Sequence, residues 1–277
     1  MISIKARGGD KMRILAMTCC CVDVFPEKNT IAVGGNALNL AVNCAMTNLA
    51  EVYLMGNIGN DDYGKEIIKV IDKYKIGREH LYVVEGQTAN HIIKIAKDGD
   101  RYFTEGSWTD GVYGDYRISE QDRKYMNTMD AVAVTLYDPN YKDIINIRRN
   151  GNFTLAVDFH DESLKEEWKE DLDAIDLFFI SGKTQELPEL KKWSAQFPQT
   201  VFVATLGAKG SIAYFKEEEF VWPAEKVDEV IDTTGCGDSY QGAFIAHYLK
   251  TKDILYAMKE GSKSAARTLT HVGGVIA

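Results

Sequence analysis

Ile231-Asp232-Thr233-Thr234-Gly235-Cys236-Gly237-Asp238 runs directly into Ser239-Tyr240-Gln241-Gly242-Ala243-Phe244. The β-branched pair Val230 and Ile231 gives way to Thr-Thr-Gly, and a helical pattern follows through Leu249, so the stretch reads as strand, tight turn and helix. Gly235 and Gly237 let the backbone turn sharply and leave no Cβ in the way of a ligand. The first amides of the helix lack intrahelical partners and point out of its positive end, a setting that holds anions, most naturally a phosphate. Asp238 is anomalous there. Its carboxylate either caps the helix or removes a proton from something beside the phosphate.

Upstream, Arg13 to Thr18 reads as a first strand, followed by three cysteines and Asp23. Ile31 to Val33 is a short strand ending at Gly34-Gly35, and Asn36 to Ala50 carries apolar residues at helical spacing. Val52 to Met55 reads as a buried strand. A helix capped by Asp61 or Asp62 follows, and Gly77 is its expected stop. Strands and helices in this alternation predict parallel βαβ units. The segments 81–84, 88–96 and 101–104 alternate instead like exposed strands, with Asp98-Gly99 as a hairpin turn, which predicts an antiparallel insertion acting as a lid. Buried-strand signals resume at 131–136, 154–158, 177–180 and 201–206. A hairpin around Glu217-Glu218 precedes the opening octet, and a last helix is expected from about Asp253 to Thr270. With no repeat or linker, residues 1–277 read as one domain, with the lid near 19–33 and 81–106 and a frayed extension over 1–11.

The 277 residues are 45% hydrophobic and 26% charged, enough for a sizeable α/β core. A net charge of −9 with no long basic run excludes an ordinary nucleic-acid binder. No apolar run approaches the roughly 20 residues of a membrane span, and the start lacks a signal-peptide core. Cys19, Cys20, Cys21, Cys44 and Cys236 are odd in number and lack Cys-x-x-Cys spacing, so reduced thiols in a cytoplasmic protein are expected. The phosphate-binding G-x-x-x-x-G-K-S/T loop is absent, and Gly235-x-Gly237 lacks the third glycine of a dinucleotide fingerprint.

The octet resembles the signature D-T-x-G-A-G-D of the PfkB, or ribokinase-like, sugar kinases, with Cys236 where alanine is usual. Gly34-Gly35 with Asn39 resembles the family's sugar-binding G-G-x-x-x-N, and Thr205-Leu206-Gly207-Ala208-Lys209-Gly210 resembles its nucleotide loop. Gly59-Asn60-Asp61-Asp62-Tyr63-Gly64 resembles the G-x-D-x-x-G segment, read as structural. The resemblance runs from about Arg13 to Gly274 with the motifs in the family's order. It implies a three-layer α/β sandwich with a mostly parallel central sheet and a small β-sheet lid. It also implies ATP and Mg2+, a small-molecule sugar as partner, and dimerisation through lid strands.

By the same resemblance, Asp238 is the base, and the Gly235, Cys236 and Gly237 amides hold the moving phosphoryl group. Asp23, Gly34, Gly35 and Asn39 contact the sugar. Thr205, Gly207, Gly210, Gly261 and Ser262 border the nucleotide, although Ser262 stands where many relatives carry an adenine-contacting Asn. The family's magnesium-placing N-x-x-E is replaced by Ser181-Gly182-Lys183-Thr184-Gln185-Glu186, leaving Glu186 or Asp158 as candidate metal residues. Asp232 and Thr234 match positions that bind K+ in some relatives. Cys21-Val22-Asp23, Gly34 to Ala37, and Asp100-Arg101-Tyr102-Phe103 look most similar to the fructoselysine 6-kinases, making His91, Arg101 and Asp110 candidates for an amino-acid tail. A fructokinase or another ketose or pentose kinase is the alternative substrate reading. A non-catalytic sugar or nucleotide sensor is the alternative from another class.

Overall fold

Alternate residues of the buried strands pack into two different cores, and this two-sidedness sets the architecture. The computed structural model describes residues 11–17, 19–95 and 101–276, without the side chains of 95 and 101–105. The first strands are β1 (Met12–Ala16), β2 (Cys21–Phe25), β3 (Thr30–Gly34), β4 (Ala50–Gly59), β5 (Gly77–Val84), β6 (Asn90–Ile95) and β7 (Arg101–Thr109). The later ones are β8 (Ala131–Thr135), β9 (Thr154–Asp158), β10 (Leu177–Ser181), β11 (Val201–Thr205), β12 (Ser211–Phe215) and β13 (Glu218–Trp222). Helices are α1 (Asn36–Ala45), α2 (Asp62–Lys73), α3 (Glu120–Met126), α4 (Tyr141–Asn150), α5 (Leu187–Gln196), α6 (Cys236–Thr251) and α7 (Ile254–Thr268).

The main sheet has the order β13-β12-β11-β10-β9-β8-β1-β4-β5. It is parallel from β5 through β11, with β12 and β13 antiparallel at one edge. Ile14 and Ala16 of β1 join one core with Leu38, Phe244 and Met258, while Leu15 joins the other with Met126, Ile144 and Trp193. Thus α1, α2, α6 and α7 cover one face and α3, α4 and α5 the other, the three-layer arrangement the sequence predicts. The strand order reverses at β1, flanked by β4 and β8. The crevice at the carboxyl ends around such a reversal is where open α/β sheets receive ligands.

A separate sheet of order β3-β2-β6-β7 stands beside that crevice. Here β2 pairs antiparallel with β3 and parallel with β6, and β6 pairs antiparallel with β7. The segment 81–84 does not belong to it. These residues end β5, which pairs parallel with β4 at the edge of the main sheet; Leu81 is buried while Val83, on the same side of the strand, is half exposed. The Asp98-Gly99 turn and residues 1–10 lie outside the described residues.

Two further expectations change. Val230 and Ile231 form no strand: both are about half exposed, and the Ile231 amide donates to the Leu269 carbonyl. Helix α2 ends at Tyr74, before Gly77, and Lys75 takes the left-handed turn. Gly77 instead opens β5, where a Cβ would come within 2.2 Å of the Tyr53 ring. The Asp61 cap appears as predicted, with its carboxylate accepting from the Gly64 amide and from Thr88. Among the described residues no helix is long and apolar enough to cross a membrane.

Candidate active site

Gly235 is the N-cap of α6 with φ +73°, a conformation that favours glycine, and it turns the chain so that Asp238 falls in the first helical turn. A Cβ at Gly235 would lie 2.6 Å from the Gly274 Cα and 2.9 Å from Asn39 Nδ2. The turn is held by Asp232. One carboxylate oxygen accepts from the Thr234 amide and hydroxyl at 3.0 and 2.8 Å, and the other from the Gly273 amide at 2.7 Å. Asp232, one of the two residues expected to hold a monovalent cation, therefore staples the phosphate-loop candidate to the chain's C-terminal segment.

Asp238 is 8% exposed. Asn36 Nδ2 donates to its Oδ1 at 3.0 Å and Asn39 Nδ2 to its Oδ2 at 2.9 Å, both from the first turns of α1. Burial pushes the carboxyl up to about 6, and repulsion from Asp158 adds to the rise; the two asparagines and His160 partly offset it. Capping leaves the local amides as a carboxylate's partners, whereas Asp238 takes its hydrogen bonds from side chains of another helix. The geometry favours the proton-accepting reading over the capping one.

A cavity of about 470 Å3 opens in front of this carboxylate. It gathers Asp23, Gly35, Asn39, Thr234, Gly235 and Asp238 from separate regions of the chain, and the small sheet adds His91, Trp108 and Asp110. Gly35 must be glycine: its φ is +95°, and a Cβ would meet the Cys19 carbonyl at 2.5 Å. Gly34 lies behind it, against Asn39. Asp23 pairs in register with His91 across β2 and β6, and the His91 ring meets Trp108 edge-on at 5.7 Å. The Trp108 indole N–H donates to Asp110. Burial lowers the His91 pKa. The side chain of Arg101 lies outside the described residues.

Several lining residues carry no sequence signal. Asn36, the second partner of Asp238, reads as an ordinary helix start. Thr135 ends β8 with Tyr137 just beyond it, and Tyr113 and His160 lie beyond the ends of β7 and β9. Position in a parallel sheet places a strand's carboxyl end at the crevice, but only the strand order says which ends share it.

The remaining candidates lie outside this cavity's lining. Gly237 has open space where a Cβ would be, leaving the helix start accessible. Burial, with repulsion from Asp232 and Asp238, pushes the Cys236 thiol up to about 12. Thr205 ends β11, followed by Gly207 at φ +57° and Gly210 at φ +90°. Ser262 is buried on α7, where its hydroxyl donates to the Pro223 carbonyl and accepts from the Glu225 amide. Gly261 brings α7 against Tyr240, whose ring would lie 3.0 Å from a Cβ. Both residues thus have packing duties between α6, α7 and the exit of β13. Asp158 ends β9 and accepts from the His160 amide, while Glu186 accepts from the Leu164 amide. The five cysteines are free thiols, all buried except the half-buried Cys236.

The fold itself belongs to a known class. It superimposes on the Arabidopsis thaliana ribokinase solved with ribose and ATP with a TM-score of 0.81 at 16% identity, covering 95% of this chain and 94% of that one. The adenosine kinase of Sinorhizobium meliloti gives 0.80 at 18% identity, with 96% of each chain covered. In sequence, the chain is 30% identical over 256 residues to the fructoselysine 6-kinase of Shigella flexneri, covering 91% of this chain and 95% of that protein. The fructosamine kinase of Bacillus subtilis is 24% identical over 262 residues, covering 93% and 90%. The model of the pfkB family carbohydrate kinases matches residues 23–277. The chain belongs to this family and is an ATP-dependent carbohydrate kinase.

Proposed function

We propose that the protein transfers the γ-phosphoryl group of ATP to a primary hydroxyl of a fructosamine, a sugar carrying an amine-linked amino acid, with Asp238 as general base. The observation that carries this reading is the Asp238 carboxylate, buried at a glycine-lined helix start and open to a cavity that ends on Asp23. The acceptor hydroxyl lies against Asp238, which takes its proton as the oxygen attacks. The Gly235, Cys236 and Gly237 amides stabilise charge on the phosphoryl group in flight. The transition state is loose, so most of the acceleration comes from positioning and electrostatics. Asp23, Gly34, Gly35 and Asn39 orient the sugar, and Thr205, Gly207, Gly210, Gly261 and Ser262 border the nucleotide. The small sheet serves as a lid that excludes water, a competing phosphoryl acceptor.

Among the described residues no group of three or more His, Cys, Asp or Glu side chains is placed to hold a metal ion. Magnesium habitually uses one or two carboxylates together with substrate phosphates and water. Asp158 ends β9 and Glu186 follows the adjacent strand β10, and the Glu186 Oε2 is buried without a hydrogen-bond partner. They are the proposed magnesium residues, and the ion when bound neutralises phosphate charge. A potassium ion beside Asp232 and Thr234 would share the carboxylate with the loop amides, and exchanging potassium for sodium in the assay tests it. Two copies pairing through the small sheet form the proposed dimer, read by sedimentation.

The fructosamine assignment rests on the relatives named for fructoselysine and fructosamine and on the aromatic and acidic groups of the small sheet, Trp108, His91 and Asp110. Measuring ADP release with a panel of ketoses and fructosyl amino acids tests it. Turnover that requires the adduct supports the assignment. Preference for free fructose replaces it with fructokinase, and binding without turnover makes the protein a sensor.

A further inference from the structure

His160 is the one residue of the cavity wall that the motifs do not account for and that the backbone holds in an unusual conformation. Its φ is +55°. Among the described residues, the other non-glycine positions with positive φ are Asn29, Asn48, Lys75 and Lys252, which follow helices, and Lys216 and Glu217, which form the β12–β13 turn. Left-handed residues are ordinary at such places. His160 also lies in a turn, where the Glu162 amide donates to the Phe159 carbonyl at 3.4 Å, but this turn follows the fully buried β9 and forms part of the cavity wall, and backbone strain concentrates at functional sites.

The conformation is held from several sides. The His160 amide donates to Asp158 Oδ1 at 2.9 Å, and its carbonyl accepts from the Ser181 amide at 2.6 Å. The ring lies 5.1 Å from the Tyr137 ring, and the Tyr137 hydroxyl is itself tied to Glu162. The ring nitrogen Nε2 is nevertheless shielded from solvent with no hydrogen-bond partner. A buried polar nitrogen is rarely left unmatched, and a ligand is a natural partner for one in a cavity wall. The lining shared with His160 includes Asp23, Gly35, Asn36 and Asn39 but no residue of 205–210 or 261–262, so the ligand concerned is the acceptor rather than the nucleotide.

We propose that His160 is a sugar-contacting residue whose Nε2 hydrogen-bonds a hydroxyl of the acceptor, holding it from the main sheet while Asp23 holds it from the small sheet. This inference rests on the phosphoryl-transfer reading of the cavity. The arrangement gives the acceptor two anchors on opposite walls, with the reacting hydroxyl at Asp238 between them.

The informative substitution is His160→Gly, because glycine occupies φ +55° comfortably and removes only the ring. His160→Asn, which also tolerates the left-handed region, keeps a polar group nearer the backbone. Fructoselysine and fructose affinities are measured by calorimetry without nucleotide, alongside KM for sugar and for ATP and thermal melting. In His160→Gly the sugar affinity should fall by roughly tenfold, the scale of one lost hydrogen bond, with ATP KM unchanged and melting not lowered. His160→Asn should fall between. Wild-type sugar affinity in His160→Gly overturns the inference while leaving the kinase reading intact if the wild-type protein still turns over. Loss of ATP affinity together with lowered melting overturns it in favour of a purely structural role. A wild-type protein that neither binds nor phosphorylates either sugar overturns both readings.

Discussion

Replacing Asp238 by asparagine separates catalysis from stability, because the structure predicts opposite effects on the two. The carboxyl is buried, and its pKa stands at about 6 against an ordinary 3.8. At pH 8 it is charged in both folded and unfolded chains, so the folded state bears the full penalty of the raised value. A difference of that size corresponds to about 3 kcal/mol. The sign follows from the direction of the shift. Below pH 3.8 both states are protonated and the penalty vanishes; it grows as pH rises and is complete above about 6.

The amide side chain that replaces the carboxylate is neutral, so the penalty disappears. One of its two polar atoms becomes an NH2 facing an asparagine donor, which costs about 1 kcal/mol for a lost hydrogen bond. Asn39 can limit that loss by turning its amide, since its Oδ1 is buried without a partner in the wild-type chain. The variant should therefore be more stable than wild type by about 2 kcal/mol at pH 8, with the advantage gone near pH 4. Its kcat should fall by roughly 10²–10⁴-fold, the usual contribution of a general base. Denaturant titrations at both pH values and steady-state ADP release measure the two effects. Near-normal turnover would falsify the assignment of Asp238 as base, and a stability gain equal at pH 4 and pH 8 would refute the electrostatic account.

The same raised value predicts that kcat/KM of the wild-type enzyme climbs with pH through about 6, as Asp238 becomes charged, and that this limb disappears in Asp238→Asn; a pH–rate profile checks it. Gly235→Ala places a Cβ at φ +73° against Gly274 and Asn39, so it should destabilise the fold by about 1–3 kcal/mol in denaturant melts and also depress turnover by displacing Asn39. Asp232→Ala removes the acceptor of three hydrogen bonds, two from Thr234 within the turn and one from the Gly273 amide; a loss of about 2–3 kcal/mol is expected by thermal melting, and an unchanged midpoint would rule out the clamp. Cys44 is buried with its thiol pushed up to about 12, so alkylation at pH 8 should be far slower in the native protein than in urea, as mass spectrometry would record.

Much of this was legible in one dimension because the motifs are local. The glycines that need positive φ or a close approach, Gly35 and Gly235, announce themselves by residue type, and Asp61 and Asp253 cap helices where capping chemistry places them. The buried strands at 131–135, 154–158 and 177–181 were readable as unbroken apolar runs. Local signals also misled. Val230 and Ile231 have strand-like side chains yet lie exposed beside Leu269, and 81–84 belongs to β5 at the edge of the main sheet rather than to the small sheet.

By itself, then, the chain's chemistry determined the anion-ready helix start, the presence of a carboxylate there, and the parallel α/β class. Each of these depends on residues within a few positions of one another. Only the tertiary structure decided that Asn36 and Asn39 hold Asp238, that Asp232 ties the turn to Gly273, and that His160 and Tyr137 face the same cavity as Asp23. Those pairings join positions tens to hundreds of residues apart, brought together by strand order around β1, and no local spacing encodes that order.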